Sequence, residues 1–144
     1  MKRLIAILSL CAVVALSACS GGDNGSAALD DKTFTGQTLV LNGEEVKAAD
    51  GQTISVTFVD GSISIKAGCN TLFGEATWAG GEITLATETL ASTMMACSEP
   101  LMAQDQALIA FFSSSPTWSL SGSTLTLKSD TAPSISQIVL EQTS

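Results

Sequence analysis

Apolar and polar residues alternate along most of the chain after residue 32, and this period of two predicts short β-strands. The clearest case is the stretch 53–59, where Ile54, Val56 and Phe58 fall on one face. Asp60-Gly61 follows this stretch as a tight-turn signal, and the residues after the turn alternate again. The pattern therefore predicts a β-hairpin with one apolar face.

The same alternation predicts further short strands. They lie at residues 33–41, 73–78, 82–86, 118–120, 125–128 and 135–141. Gly36 is a candidate bulge in the first of them, Asn42-Gly43 is a turn signal, and the polar stretch 44–50 is typical of a loop. About eight strands separated by frequent turns indicate an antiparallel barrel or sandwich, and closure into a barrel would remove exposed strand edges.

One segment has helical spacing, and it predicts a helix over residues 98–112. Ser98 fits the N-cap and Pro100 fits the first turn. The apolar stripe of this helix consists of Leu101, Met102, Leu108, Ile109 and Phe112. The preceding stretch 87–96 has no clean period, and we expect a short helical or irregular crossover there. The predicted fold class is mainly β (α+β), a small antiparallel barrel-like sheet with one helix packed against it.

The N-terminus has the pattern of an export signal. Lys2 and Arg3 precede an apolar run that is too short to span a bilayer, which needs about 20 apolar residues. The sequence Leu16-Ser17-Ala18-Cys19 after it resembles a bacterial lipobox, in which the cysteine carries a lipid. We therefore expect a lipoprotein signal peptide at residues 1–18 and lipidation of Cys19. The alternative is an ordinary signal peptide that leaves Cys19 as a free thiol.

A small, polar, glycine-rich segment follows the expected lipidation site. Residues 19–32 are predicted to be the lipidated cysteine and a flexible tether, and residues 33–144 a single domain. This arrangement predicts an exported protein of the cell envelope that is held at a membrane by lipid. Whether that membrane is the inner or the outer one is left open by the sequence.

The chain is acidic, with 6 Lys+Arg against 14 Asp+Glu and a net charge of −8. Loss of Lys2 and Arg3 with the leader would leave 4 basic residues against 14 acidic ones, a net charge of −10. Nucleic acids and anionic lipid surfaces are bound through basic contacts, so no nucleic-acid partner is expected. The acidic residues are scattered, which is typical of a solvated surface.

Cysteine counting predicts one disulfide. Cys11 would leave with the leader and Cys19 would carry lipid, so Cys69 and Cys97 remain as an even pair in an oxidising compartment. A redox dithiol and a soft-metal site are the alternatives. Their spacing is far from Cys-x-x-Cys, and the chain has no histidine to complete a zinc site.

The same lack of histidine excludes Ser-His-Asp and Cys-His catalysis. The sequence carries no nucleophile elbow or nucleotide-binding glycine motif. Five carboxylates could pair across a barrel mouth, but solvated positions are the simpler interpretation; they are Glu75, Glu82, Glu88, Glu99 and Asp105. We therefore predict a protein that is not an enzyme and needs no cofactor.

Several other residues admit a site interpretation and a structural one. Met94, Met95 and Met102 near Cys97 could bind Cu(I) if the thiols stayed reduced, but such methionines more often fill core gaps, and no metal site is predicted. Two tryptophans, Trp78 and Trp118, are expected in core or rim packing. In addition, Asn70 is expected to form a local turn and Thr93 to bond local backbone.

Four stretches in this order resemble the META domain (HslJ-like) family. They are GCNTLFGEATWAGGEIT, LASTMMAC, a helix with Gln104-Asp105-Gln106, and STLTLK, and together they cover roughly Leu39 to Leu140. The residues that match the family motif are Gly68, Asn70, Gly74, Thr93, Met94, Met95 and Asp105.

The resemblance implies a small β-barrel-like α+β domain in bacterial envelope proteins, with no established catalytic residues and a link to stress in some members. The expected function is that of a non-catalytic binding or structural module of the envelope. Its expected partners are membrane lipid, through the anchor, and an envelope protein. A small-ligand carrier or a hydrolase that uses the barrel mouth is the alternative.

Overall fold

The computed structural model describes residues 25–66 and 68–143. Within this part of the chain one antiparallel sheet of ten strands curls into a half-barrel, and one helix packs against it. The elements are β1 Lys32–Leu41, β2 Glu44–Lys47, β3 Ile54–Val59, β4 Ser62–Lys66, β5 Thr71–Thr77, β6 Thr84–Leu85, β7 Ala91–Ser92, α1 Glu99–Ser113, β8 Thr117–Ser121, β9 Thr124–Lys128 and β10 Ile135–Gln142. The predicted barrel-like fold with one helix is confirmed.

Strand pairing follows the order β6-β5-β4-β3-β1-β10-β9-β8. The two ends of this path meet at an isolated bridge between Glu82 and Thr117, where the Ile83 N–H donates to the Pro116 carbonyl at 2.9 Å. The sheet therefore curves far enough for its edge strands to touch at one point, which covers part of both edges.

Two strands were not predicted. The loop expected at 44–50 contains β2, which pairs with β1 at the edge of the sheet, and the irregular stretch 87–96 contains the two-residue β7 beside β5. Glu44, Glu45 and Lys47 are exposed, so β2 carries charges along an edge and lacks an alternating apolar face. Its pairing is dictated by the tight turn at Asn42-Gly43, where both residues have positive φ, 52° and 86°.

Gly36 sits where β1 changes register against β10, between Thr35 and Thr38. The predicted bulge in the first strand is therefore confirmed. A Cβ added at this position would press against the Val139 carbonyl oxygen and lie 2.9 Å from Leu140 Cδ2. Glycine is required here because two strand backbones approach more closely than a side chain allows.

We expect Gly36→Ala to lower the free energy of unfolding by about 2–3 kcal/mol, because the backbone contact can be relieved only by separating β1 from β10. Urea denaturation measures the loss. Gly25→Ala is the matched control, since a Cβ at Gly25 meets nothing within 4 Å, and its effect should stay within about 0.5 kcal/mol. Equal stabilities of the two variants would contradict the packing described at Gly36.

The inside of the half-barrel is filled by side chains. Phe58 makes edge-to-face contacts with Phe34 and Trp78, with centroid distances of 6.1 and 5.2 Å, and α1 adds the buried pair Phe111 and Phe112. The indole N–H of Trp118 donates to the Trp78 carbonyl at 2.9 Å. Both tryptophans are buried, which confirms the predicted core packing.

The ordered domain begins before Thr33. Leu29 is fully buried, and the indole N–H of Trp78 donates to the Ser26 carbonyl at 3.0 Å and to Asp30 Oδ1 at 2.7 Å. Residues 26–32, which were predicted to be tether, therefore belong to the folded domain. The leader 1–18, the lipidation site Cys19 and the rest of the tether lie outside the described residues.

Helix α1 agrees with the predicted helix to within a residue at each end, but its buried face differs. The residues that face the interior are Gln104, Asp105, Leu108, Phe111 and Phe112. Ser98 occupies the N-cap position, yet its hydroxyl donates to Asp50 Oδ2 at 3.1 Å and makes no capping bond. Among the described residues, no helix has the length and apolar character needed to cross a bilayer.

Candidate functional site

The motif residues converge on Asn70, which is buried between the end of β4 and the start of β5. The chain enters this position through Gly68, which has a φ of 150°. A Cβ at Gly68 would lie 3.2 Å from both Gln104 Nε2 and Leu101 Cδ2 of α1. Glycine at this position therefore lets the backbone pass close to α1. It also directs Asn70 toward the loop that precedes α1.

The Asn70 side chain holds the backbone of Met95. Its Oδ1 accepts the Met95 N–H at 2.7 Å, and its Nδ2 lies 3.4 Å from the Met95 carbonyl oxygen. The Asn70 amide therefore bonds both backbone polar groups of Met95, as the backbone of a neighbouring strand would. The expected local turn at Asn70 is wrong in this respect, since its partners lie 23 to 35 residues further along the chain.

Thr93 extends this pairing. Its hydroxyl donates to Asn70 Oδ1 at 3.0 Å and accepts the Thr71 N–H at 3.0 Å, while its own N–H donates to the Thr71 carbonyl at 3.1 Å. The prediction that Thr93 bonds local backbone is wrong, because both of its partners belong to the 70–71 segment. Residues 93–95 thus continue the contact that β7 makes with β5.

A disulfide closes the same loop. Cys69 and Cys97 are bonded at 2.04 Å with Cα atoms 6.0 Å apart, as cysteine counting predicts. We call residues 93–97 the methionine loop. It is fixed to the sheet by Asn70 at Met95 and by the disulfide at Cys97.

Asp105 of α1 holds Asn70 in place through two hydrogen bonds. Its Oδ2 accepts both the backbone N–H of Asn70, at 3.0 Å, and the Asn70 side-chain Nδ2, at 2.9 Å. Asp105 is 4% exposed, and its Oδ1 has no hydrogen-bond partner among the described residues. The expectation of a solvated position is wrong for this carboxylate, because Gly68 lets β5 begin directly over the helix.

Asp105→Ala should lower the free energy of unfolding by about 2–3 kcal/mol, because two buried donors of Asn70 lose their acceptor. Asp105→Asn keeps one side-chain oxygen in place as the acceptor, so we expect its effect to stay within about 1 kcal/mol. Urea denaturation of both variants tests this. Similar losses in the two variants would contradict the stabilising role assigned to the Asp105 acceptor oxygen.

The methionines of the motif are not in the core. Met94 is 97% exposed and Met95 is 59% exposed, so the prediction that they fill core gaps is wrong for both. Met102 is half-buried on α1, with its sulfur 4.0 Å from Asn70 Nδ2. A groove of about 370 Å³ runs between the methionine loop and α1, and Asp105, Gln106 and Ile109 form its helical side.

Gly74 has a packing role and takes no part in the contacts around Asn70. A Cβ there would lie 3.2 Å from Leu90 Cα and from the Thr89 carbonyl oxygen, so glycine lets the 87–90 turn approach β5. The other motif residues meet around the methionine loop. No cluster of cysteine and acidic side chains that could hold a metal ion occurs in the described ranges.

Sequence reasoning missed Gln104. This side chain is 9% exposed, and its Oε1 accepts the Ala49 N–H at 2.6 Å, which links α1 to the 3₁₀ turn Ala49–Gly51. A signal was available, because Gln104 lies three residues after Leu101 and four before Leu108, on the predicted apolar stripe. A polar residue at such a position requires a buried partner.

The META domain family profile matches residues 27–139. The chain belongs to the META domain family. This membership supports an envelope-associated domain. No curated protein matches the chain.

Two solved structures share the fold. An NMR structure of a protein from Burkholderia xenovorans has 18% identity and a TM-score of 0.68, over 97% of this chain and 99% of that one. A second NMR structure has 23% identity and a TM-score of 0.61, over 81% of this chain and 92% of that one. The half-barrel of this META domain is therefore found in proteins of very different sequence.

Proposed function

We propose that this META domain is the non-catalytic part of a membrane-anchored envelope lipoprotein, and that it binds another envelope protein through the methionine loop. One observation carries the proposal: Met94 and Met95 are 97% and 59% exposed on a backbone that Asn70 holds in place. By contrast, most of the Leu, Ile and Phe side chains among the described residues are buried.

A fixed, exposed apolar loop is suited to protein recognition. Methionine is enriched at protein interfaces, and its flexible thioether adapts to partners of different shape. Asn70 and the disulfide order the loop before binding, so a partner would not have to supply that ordering free energy. The adjoining groove of about 370 Å³ offers further contact area beside the loop.

The anchoring part of the proposal rests on the sequence. The basic start, apolar run and lipobox-like Leu16-Ser17-Ala18-Cys19 support lipidation of Cys19. Cys19→Ala should release the protein from the membrane fraction of its native host. Unchanged membrane retention would require another anchor.

A photo-crosslinking amino acid at position 94 tests the binding surface. In intact cells we expect it to form one defined protein adduct, visible as a discrete band and identified by mass spectrometry. The same probe at Ser119, which is exposed on β8 and away from both grooves, is the control and should not form that adduct. Absence of an adduct from position 94 across growth and stress conditions would refute the proposal.

Small-ligand binding at the barrel mouth is the second candidate. The cavity beside Leu72 and Leu108 measures about 10 Å³, far below the roughly 300 Å³ of a ligand pocket, so this cavity is too small for a ligand. One feature favours a site at the rim, a mostly apolar groove of about 420 Å³ between α1 and the β1–β2 hairpin. An environment-sensitive apolar dye should bind there, and Ala107→Trp should block it.

A further inference from the structure

The outer face of the sheet carries one exposed aromatic ring. Of the seven phenylalanines and tryptophans in the described ranges, six are at most 5% exposed and Phe73 is 46% exposed. It lies in β5 between the buried residues Leu72 and Ala76, so its side chain projects from the face opposite the core. A ring this exposed on a regular strand is not explained by packing.

A row of hydroxyl-bearing residues extends across the sheet from one side of this ring. Phe73 pairs with Ser64 on β4, Ser64 pairs with Thr57 on β3, and Thr57 pairs with Thr33 on β1, which forms one row across four strands. The neighbouring row on the same face places Glu75 beside Ser62 and Ser62 beside the exposed Val59. The ring therefore lies between Ala91 of β7 and an uncharged row of hydroxyl-bearing residues, with Glu75 in the neighbouring row.

These polar groups are available to a ligand. The hydroxyls of Ser62 and Ser64 and the carboxylate of Glu75 have no hydrogen-bond or ion-pair partner among the described residues, whereas the Thr57 hydroxyl is bonded to that of Thr33 at 2.9 Å. A groove of about 300 Å³ runs over this part of the face, and Thr89 borders it on one side. Its volume lies at the lower end of the range for small-molecule sites.

We propose that the Phe73 face is a binding site for a neutral pyranose polysaccharide. A pyranose ring has an apolar C–H face that covers an aromatic ring and an edge of hydroxyls that exchange hydrogen bonds with serine, threonine and carboxylate groups. Glu75 can accept from two sugar hydroxyls. Phosphorylated ligands are disfavoured, because Lys66 is the single cation on this face of β3, β4 and β5 and the chain is acidic overall.

The proposal is tested by calorimetric titration of the full-length protein in a mild detergent with two soluble probes, a β-linked N-acetylglucosamine tetramer and a β-linked glucose tetramer. We expect a dissociation constant of about 1 mM for at least one of them, as suits a single open groove. The probe that binds more tightly identifies whether the acetamido group is recognised.

Substitutions at one position separate ring stacking from apolar volume. Phe73→Trp should keep or improve the affinity, while Phe73→Leu and Phe73→Ala should each weaken it by about five- to tenfold. Met94→Ala removes an exposed apolar side chain elsewhere and should bind as the wild type does. Far-UV circular dichroism confirms that each variant is folded.

The proposal is overturned if neither tetramer binds the wild type, or if Phe73→Leu binds as tightly as Phe73→Trp. A photo-crosslink at position 94 reports on the methionine loop and is independent of this titration. The proposal for the methionine loop and the proposal for the Phe73 face can therefore be refuted independently of each other.

Discussion

Asn70→Ala is expected to lower the free energy of unfolding by about 3 kcal/mol, with the disulfide intact. The alanine removes the acceptor of the Met95 N–H and the Thr93 hydroxyl and leaves Asp105 Oδ2 without its side-chain donor. Each lost hydrogen bond costs about 1 kcal/mol, and the penalty grows where the abandoned group stays buried, as Asp105 does. Urea denaturation measures this loss.

A local measurement separates this effect from a general loss of stability. Amide hydrogen exchange at Met95 should accelerate in Asn70→Ala far more than exchange in the core strand β3, because the loop alone loses its clamp. Asn42→Gly is the matched control: Asn42 has a φ of 52° in a tight turn, a geometry that glycine adopts readily. An Asn70→Ala protein within about 1 kcal/mol of the wild type would show that the methionine loop does not depend on this side chain.

Most of the fold could be predicted because strand alternation and turn chemistry are local. Ile54, Val56 and Phe58 are all buried as the period of two requires, and the Asp60-Gly61 turn has positive φ at both residues, 48° and 70°. The strands that escaped prediction, β2 and β7, have no alternation of their own. Strand β2 forms because the tight turn at Asn42-Gly43 returns the chain along β1. Strand β7 forms because β5 presents unpaired backbone groups, which is a tertiary effect.

The candidate site could be predicted only in part, because its contacts are long-range. The resemblance supplied Asn70, Thr93 and Asp105, but residue types alone suggested a local turn and solvated carboxylates. The structure places Asn70 against residues 23 and 35 positions away, and this distance has no periodic signature in the sequence. A buried carboxylate on a helix is likewise recognisable only after the helix has been docked.

The exposure of Met94 and Met95 follows from that geometry. Asn70 bonds the backbone of Met95 on the inner side of the loop, so the adjacent side chains are directed outward. The disulfide holds the following residues against the start of β5. The same contacts that bury Asn70 and Asp105 therefore hold two thioethers in solvent, and the motif both fixes the loop and supports the surface that we propose for recognition.

Removal of the disulfide by Cys69→Ala together with Cys97→Ala is expected to lower the free energy of unfolding by about 3.5 kcal/mol. The two cysteines are 28 residues apart, and a crosslink over a loop of this length restricts the unfolded chain by about that amount in the chain-entropy model. For a domain of this size the melting temperature should fall by about 10–20 °C. Thermal unfolding followed by circular dichroism measures the shift.

Reduction of the wild type provides the control for this variant. A reductant should bring the wild-type melting temperature down to that of the double variant and should leave the double variant unchanged. Thiol titration must show two new thiols from Cys69 and Cys97 in the reduced protein. A fully reduced wild type that melts at its original temperature would contradict the argument, because the Asn70 contacts alone would then hold the methionine loop in place.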